Sequence, residues 1–398
     1  MLMYLPHQER LDNEILNAVL AQRERADFEH YSANDVKTAL KKSFLDLEDF
    51  KALLSPAAAP LLEDMMWAAK AAKERYFGKN IYLFTPLYIS NHCENLCVYC
   101  GFHSRNNIRR AQLDDDGIIK ELESIASAGF EELLMLTGEA PAFSSVGYIA
   151  NACRLASERF ATLGIEVYPL SVENYAKMHE NGSDYVTVFQ ETYNPRRYAQ
   201  LHLEGDKTAF GYRFEAQERA LKAGMRGVAF GALFGLDMWR QDALSVGLHA
   251  SLLQKRYQDA EISISVPRLR PIINNSKISP KDVRERELAQ IICAYRLFLP
   301  FANITLSTRE SVKFRDNAVK FGVSKVSAGV KVGIGEHGDD KAGQGDGQFE
   351  ISDSRDGEQM RAMLRLNGLV PVESEHVFLG EGILEFLDFF ASHPLVGG

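Results

Sequence analysis

Three of the five cysteines fall within eight residues, as Cys93, Cys97 and Cys100, in the spacing Cys-x3-Cys-x2-Cys. Thiolates gathered this closely are soft metal ligands, suited to zinc or to an iron–sulfur cluster. They follow an apolar run, Ile81–Ile89, that reads as a strand. A structural zinc site wants four protein ligands in paired spacings, and no second Cys-x2-Cys or His-x3-His pair supplies them. His92 and His103 flank the loop, but residues adjacent in sequence rarely aim at one ion. A [4Fe-4S] cluster ordinarily takes four cysteines, so three would leave one iron open to another ligand. Cys153 and Cys293 stand alone in apolar helical patterns and read as buried core thiols.

The elements that must position this loop begin at about residue 80. Strand-like runs recur at Ile81–Ile89, Glu132–Leu136, Ile165–Leu170, Tyr185–Phe189, Gly227–Gly231, Ile262–Val266, Ile304–Leu306 and Lys325–Ser327. Helical patterns lie between them at Asp116–Ser127, Gly147–Phe160, Phe214–Ala223, Met238–Tyr257, Pro280–Leu299 and Arg309–Phe321. Gly129, Gly164 and Gly224 sit where helix C-caps precede the next strand. The alternation predicts parallel βαβ units and a (βα)8 TIM-type barrel; the short last runs also allow a six-stranded partial barrel. Residues 1–78 read as an N-terminal helical extension, 79–328 as the barrel, and 329–398 as a C-terminal loop and helix packing on it. Ser32 and Ser55-Pro56 are helix-start signals in the extension. Gly329–Gly347, rich in Gly, Asp and Lys, reads as a mobile loop or lid. Its Gly333-x-Gly335-x-x-Gly338 is not a dinucleotide site, because no amphipathic helix follows.

A barrel puts its chemistry at the C-terminal ends of the strands. Polar strings fall there: Thr137-Gly138-Glu139, Gln190-Glu191-Thr192-Tyr193, Pro267-Arg268-Leu269-Arg270-Pro271 and Ser307-Thr308-Arg309-Glu310. Arginines at a barrel mouth suit an anionic ligand, which makes Arg309, Arg268 and Arg270 candidates for the substrate side. Arg309 is expected to open a helix whose N-terminus adds to anion binding. Arg268 and Arg270 are expected to project in similar directions, with at least one of them structural. The net charge of -9 argues against general nucleic-acid binding. No run approaches a membrane span, and the N-terminus lacks a secretory h-region. Clustered rather than paired cysteines indicate a reducing, cytoplasmic setting.

The cysteine spacing, with Tyr99 just before the last cysteine, resembles the hallmark of the radical S-adenosylmethionine (SAM) enzymes. The resemblance implies a [4Fe-4S] cluster on Cys93, Cys97 and Cys100, with SAM chelating the open iron. One electron then breaks a carbon–sulfur bond, and the resulting 5′-deoxyadenosyl radical removes hydrogen from a substrate. Thr137-Gly138-Glu139 is similar to the segment that holds the SAM amino group. Glu191 then suits the ribose hydroxyls, Arg213 the SAM carboxylate, and Tyr99 a platform beside the adenine; Arg219 reads rather as a surface ion-pair partner.

Leu54-Ser55-Pro56, Pro86-Leu87-Tyr88-Ile89-Ser90-Asn91, Tyr99-Cys100-Gly101-Phe102 and the strings at Gln190, Pro267 and Leu306 together resemble the aromatic amino acid lyase branch. They are most similar to the tyrosine lyases of thiamine biosynthesis. That resemblance implies cleavage of the Cα–Cβ bond of L-tyrosine to 2-iminoacetate (dehydroglycine) and p-cresol. It also implies a complex with thiazole synthase and an electron donor such as flavodoxin or ferredoxin. The related hydrogenase maturase carries further C-terminal cysteines, whereas here none lies beyond Cys293. Val330-Lys331-Val332-Gly333 only partly follows the family's Ser-Lys-Thr-x-x-Gly-Gly run. The competing readings are a lyase for another amino acid, such as tryptophan, and a zinc-stabilised scaffold protein.

Overall fold

The computed structural model describes residues 3–280, 282–338 and 343–373. Its barrel strands are β1 (Asn80–Ser90), β2 (Glu132–Thr137), β3 (Thr162–Glu166), β4 (Tyr185–Thr187), β5 (Gly227–Gly231), β6 (Glu261–Ser265), β7 (Asn303–Leu306) and β8 (Lys325–Ser327). Each pairs in parallel with the next, β8 pairs with β1, and β1 pairs with β2, so the sheet closes. Closure removes the six-stranded alternative. Every residue of β2 and of β5 is buried, as expected of strands covered on both faces.

Two local expectations are corrected. The third strand was expected at Ile165–Leu170 with Gly164 closing a helix, but Gly164 lies inside β3. A Cβ there would stand 2.2 Å from Tyr185 Cζ, so glycine is what lets the Tyr185 ring lie flat over the strand. Arg219, expected as a surface ion-pair partner, is fully buried, with its ion-pair partner Glu215 at 3.6 Å. It donates to the carbonyl oxygens of Leu170 and Tyr212 and lies 3.7 Å over the Tyr212 ring.

Most expected helices are present, including Asp115–Ser127, Val146–Ser157, Trp239–Arg256 and Glu285–Phe298. Val172–Glu180 and Pro195–Leu201 are additional. The single helix expected at Phe214–Ala223 is instead two, Phe210–Phe214 and Ala216–Lys222. They break at Glu215, whose carboxylate accepts from the Tyr4 hydroxyl and the Leu11 N–H.

The first 78 residues form helices Glu14–Arg25, Ala33–Ala39, Leu47–Leu54 and Leu62–Phe77. Ser32 and Asp35 close a capping box at the second, and Asp46 and Asp49 at the third. Phe50 stacks 4.1 Å from Phe298, and the buried Lys73 ammonium donates to Val319 O at 2.6 Å, so this layer is welded to the barrel's outer helices.

After β8 the chain crosses the barrel mouth. Asp346 takes the Arg109 N–H and guanidinium, Glu350 N–H donates to Pro271 O, and Ser352 N–H to Thr308 O. Residues 346–352 are therefore a strap fastened to three loops. Helix Gly357–Leu366 follows, and an unanticipated strand, β9 (Val370–Val372), pairs with Asn80–Tyr82.

Arg296 is fully buried and donates to the carbonyl oxygens of Gly322, Pro300 and Ala302 and to Ser324 Oγ. Arg296→Leu strands those acceptors in the core. It should cost about 3 kcal/mol of unfolding free energy, read as a lowered urea midpoint.

Candidate active site

The loop after β1 has almost no regular structure, so its shape is held from outside. Asn91 Oδ1 accepts the Ala111 N–H at 2.8 Å, and its Nδ2 donates to Arg109 O and Asp346 O. Leu96 and Val98 N–H donate to Glu204 O and Leu201 O, and Glu94 N–H to Glu139 O. Arg110 donates to the carbonyl oxygens of Asn91, Phe102 and His103. Two glycines allow the tightest approaches. A Cβ on Gly138 would stand 2.1 Å from His92 O, and one on Gly101 2.2 Å from Gln348 O.

All five cysteines are free thiols. Cys153 and Cys293 are fully buried, as expected of core thiols. Cys93, Cys97 and Cys100 face one another closely enough to perturb each other's ionisation. Burial pushes the Cys93 thiol up to about 11 and the Cys97 thiol well above its usual range. A metal that binds the thiolates reverses that preference. Among the described residues, no three His, Cys, Asp or Glu side chains are placed to share a single metal ion. Three thiols in one short loop suit a multi-iron cluster, where each iron takes its own thiolate.

Beside the loop lies a buried lattice of charge. Glu139 Oε1 accepts from Arg213 Nη1 at 2.9 Å, and its Oε2 from Asn95 Nδ2 at 2.9 Å. Lys207 Nζ donates to Glu191 Oε1 at 2.7 Å and lies 3.5 Å from Glu139 Oε1. Burial works to raise both carboxyls, but Arg213 and Lys207 outweigh it and hold them below the usual range. Glu191 has φ 69°, the left-handed region that a non-glycine residue enters at a cost of about 1–2 kcal/mol. That strain sits just beyond β4, in the carboxylate that faces Lys207 and Arg213.

Tyr99 is buried, and its hydroxyl lies 2.8 Å from His202 Nε2. His202 Nδ1 stands 2.8 Å from Tyr198 O and must donate to it, so Nε2 accepts from Tyr99. Burial keeps this imidazole neutral.

Inside the barrel a cavity is walled by Phe84, Leu134 and Leu136 on one side and by strand hydroxyls on the other. A second cavity, beside Tyr99, Cys100 and Arg270, meets it at Glu166, Phe189, Arg309, Gln348 and Phe349. Arg309 lies 3.4 Å over the Phe349 ring, and its guanidinium has no hydrogen-bond or salt-bridge partner among the described residues. Glu166, at the end of β3, likewise has none. Burial and then Glu191 push its carboxyl up to about 7, against the pull of Arg309.

Arg309 does not open its helix. That helix runs Val312–Phe321, capped by Ser311, and Arg309 sits in the preceding turn, which frees its side chain for the cavity. Arg268 is corrected more strongly. Its Nε donates to Glu310 Oε1 at 2.9 Å, its Nη2 to Glu310 Oε2, and its Nη1 to Val283 O. It is bound inside the wall and reaches neither cavity. Arg270 does line the cysteine-side cavity and donates to Ser352 Oγ on the strap.

The model of the radical SAM superfamily matches residues 87–241, and that of the biotin and thiamin synthesis associated domain matches 265–370. The chain is 41% identical to the 2-iminoacetate synthase of Salmonella typhimurium, over 86% of this chain and 90% of that protein. It is 40% identical to the 2-iminoacetate synthase of Escherichia coli over the same shares. The chain belongs to the 2-iminoacetate synthase family. Its fold matches the crystal structure of the FeFe-hydrogenase maturase HydG from Carboxydothermus hydrogenoformans, with TM-score 0.83, 28% identity and coverage of 97% of this chain and 90% of that one. Membership makes it a radical SAM enzyme, with the [4Fe-4S] cluster and SAM as cofactors.

For a 2-iminoacetate synthase relative, the three cysteines, Tyr99, Gly138, Glu139, Glu191, Arg213, Arg270 and Arg309 do gather at one end of the barrel. Arg213, expected free for a carboxylate, is already paired with Glu139. Asn95, Lys207, Glu166, His202, Gln348 and Phe349 were not anticipated. Asn95 lay within the cysteine loop and was open to inspection; the others lie in segments with no distinguishing pattern.

Glu166 has a measurable consequence. Its folded carboxyl titrates at about 7, against an ordinary 4.5, so the folded state holds that proton more tightly. This contribution to stability is full below about pH 4.5 and is lost as pH rises through about 7. The stability advantage of Glu166→Gln over the parent should therefore grow across that interval, read from urea midpoints at each pH.

Proposed function

We propose that this chain cleaves the Cα–Cβ bond of L-tyrosine to 2-iminoacetate and p-cresol, supplying the glycine-derived fragment for thiamine thiazole formation. The observation that carries the reading is the pair Arg309 and Glu166, both without hydrogen-bonded partners among the described residues, where the cysteine-side cavity meets the lumen. An amino acid brings a carboxylate and an ammonium, and these two side chains are their complements. Phe349 beneath Arg309 orients the guanidinium plane without consuming its donors.

Cys93, Cys97 and Cys100 hold the cluster in this reading. Glu139 and Arg213 form a ready-made counterpart to the SAM ammonium and carboxylate, Glu191 takes the ribose hydroxyls, and Tyr99 borders the adenine. When bound, the cluster and SAM would supply radical chemistry for hydrogen abstraction from tyrosine. The chain's own work is positioning and exclusion of water. Arg309 fixes the substrate carboxylate, Glu166 the ammonium, and the strap around Gln348 and Phe349 roofs the junction. Arg270 borders the same space and steadies the strap through Ser352, while Arg268 acts only through Glu310, as a positioning residue. Residues 1–78 serve as a bracing extension, 79–328 as the catalytic barrel and the described part of 329–373 as its C-terminal cover; 374–398 lie outside the described residues.

Thiazole synthase is the proposed recipient of 2-iminoacetate, a flavodoxin or ferredoxin the electron donor, and the cytoplasm the compartment. No described helix is long and apolar enough to cross a membrane.

Anaerobic reconstitution should load about four irons with sulfide. With SAM, dithionite and tyrosine, the enzyme should then form 5′-deoxyadenosine and p-cresol together. Arg309→Ala should raise the KM for tyrosine at least about tenfold, the cost of a charged hydrogen bond. A single tightly held zinc, or cleavage of tryptophan in place of tyrosine, contradicts the reading, and an unchanged KM removes Arg309 from its role.

A further inference from the structure

The barrel lumen is not uniform from mouth to floor. Its upper wall on the β1–β2 side is apolar, from Phe84, Leu134 and Leu136. Its floor is polar. Tyr185, Ser263 and Lys325 line the lumen and also a smaller cavity at the opposite end of the barrel, so they form the partition between the two.

This partition is built to hold a cation in place. Glu132 Oε1 accepts from the Tyr185 hydroxyl at 2.8 Å and from Lys325 Nζ. The ammonium lies 4.8 Å from the centre of the Tyr185 ring and 5.3 Å from that of Phe84. A lysine has three N–H donors, and Glu132 is the one acceptor for them among the described residues. Ser263 Oγ lies 3.2 Å from Thr305 Oγ1 at the same level, where Thr305 pairs with Lys325 across β7 and β8. The alternation along β6 places this hydroxyl. Ile262 and Ile264 are buried outward against helices, while Ser263 faces the lumen.

The order of groups along the lumen suits a particular ligand. Lys325 stands level with Thr305 inside β7, whereas Arg309 lies in the turn beyond that strand's C-terminal end, and both line the lumen. An amino acid held at Arg309 and Glu166 with its side chain down the lumen passes the apolar wall first and then meets donors. A para-hydroxyl on an aromatic ring meets both demands. A phenyl ring leaves Lys325 unanswered.

We propose that Lys325, held by Glu132 and Tyr185 and flanked by Ser263, is the site that recognises the substrate's phenolic hydroxyl and selects tyrosine over phenylalanine. The inference rests on the tyrosine lyase reading given above. A site that hydrogen-bonds a substrate hydroxyl discriminates strongly against the analogue without it, because its own buried donors are left unpaired. Binding at this floor also fixes the depth of the ring, and with it the position of the Cα–Cβ bond beneath the cysteine-side cavity.

The test is equilibrium dialysis of L-tyrosine and L-phenylalanine against the reconstituted enzyme with SAM and no reductant, so that binding is read without turnover. The parent should prefer tyrosine by at least about 100-fold. Glu132→Gln combined with Lys325→Met removes both charges together and leaves no unpaired ion. It should reduce that preference to within about fivefold by weakening tyrosine alone, with phenylalanine unchanged. A retained preference, or equal loss of both amino acids, overturns the proposal. If the double variant does not fold, Ser263→Ala decides. About a tenfold loss of tyrosine affinity with phenylalanine unchanged supports the site, and unchanged tyrosine affinity refutes it. A parent that forms p-cresol while the variants keep their selectivity refutes this inference alone. A parent that neither binds tyrosine nor forms p-cresol refutes the lyase reading, and this inference with it.

Discussion

Everything at the mouth of this barrel depends on holding an irregular loop in one shape. Asn91–Phe102 cannot satisfy its own backbone, since it has no helix or sheet ladder. Its amides and carbonyls go to the turn around Glu139, to the segment Leu201–Glu204 and to Arg110, while the Asn91 side chain reaches the strap at Asp346. Each of these belongs to a different part of the chain. The three thiols are therefore placed by the closed barrel as a whole, and the loop cannot be correct unless the barrel and strap are.

The second dependence is electrostatic. Glu139, Glu191, Lys207 and Arg213 are buried around the loop, and charges so placed are tolerable only in company. Two acids and two bases balance there, and Asn95 ties the group to the cysteine loop through both Glu139 and the Lys207 N–H. Arg309 and Glu166 break this rule: both line the cavity, and neither side chain has a hydrogen-bond or salt-bridge partner among the described residues. Partnered charges define the frame of the site, and unpartnered ones its opening.

The βα alternation, the cysteine loop and the grouping of polar strings at the strand ends were all legible in the sequence, because apolar runs of this length with glycine and proline punctuation carry their own signal. The misplaced third strand is instructive. Gly164 reads locally as a helix stop, and only the Tyr185 ring from the neighbouring strand makes it a strand residue. Shifting that strand hid Glu166, which the correct bounds put at its C-terminal end, where barrel chemistry lies. Arg268 and Arg219 failed for the same reason. Whether an arginine faces a cavity or a carbonyl is decided by tertiary neighbours such as Glu310 and Leu170, which no local pattern reveals. The strap at 346–352 was not legible, because its composition is that of a loop, while its fastenings are to Arg109, Pro271 and Thr308, distant in sequence.

The central claim is that three cysteines leave one iron of the cluster open and that SAM binds there. Electron paramagnetic resonance of the reduced, reconstituted enzyme, recorded without SAM and then with SAM labelled with 17O in its carboxylate and 15N in its amino group, tests it most directly. The account predicts a reduced-cluster signal whose g-values shift on adding SAM and which shows hyperfine coupling to both labels. A spectrum unchanged by SAM, with no coupling to either label, would contradict it.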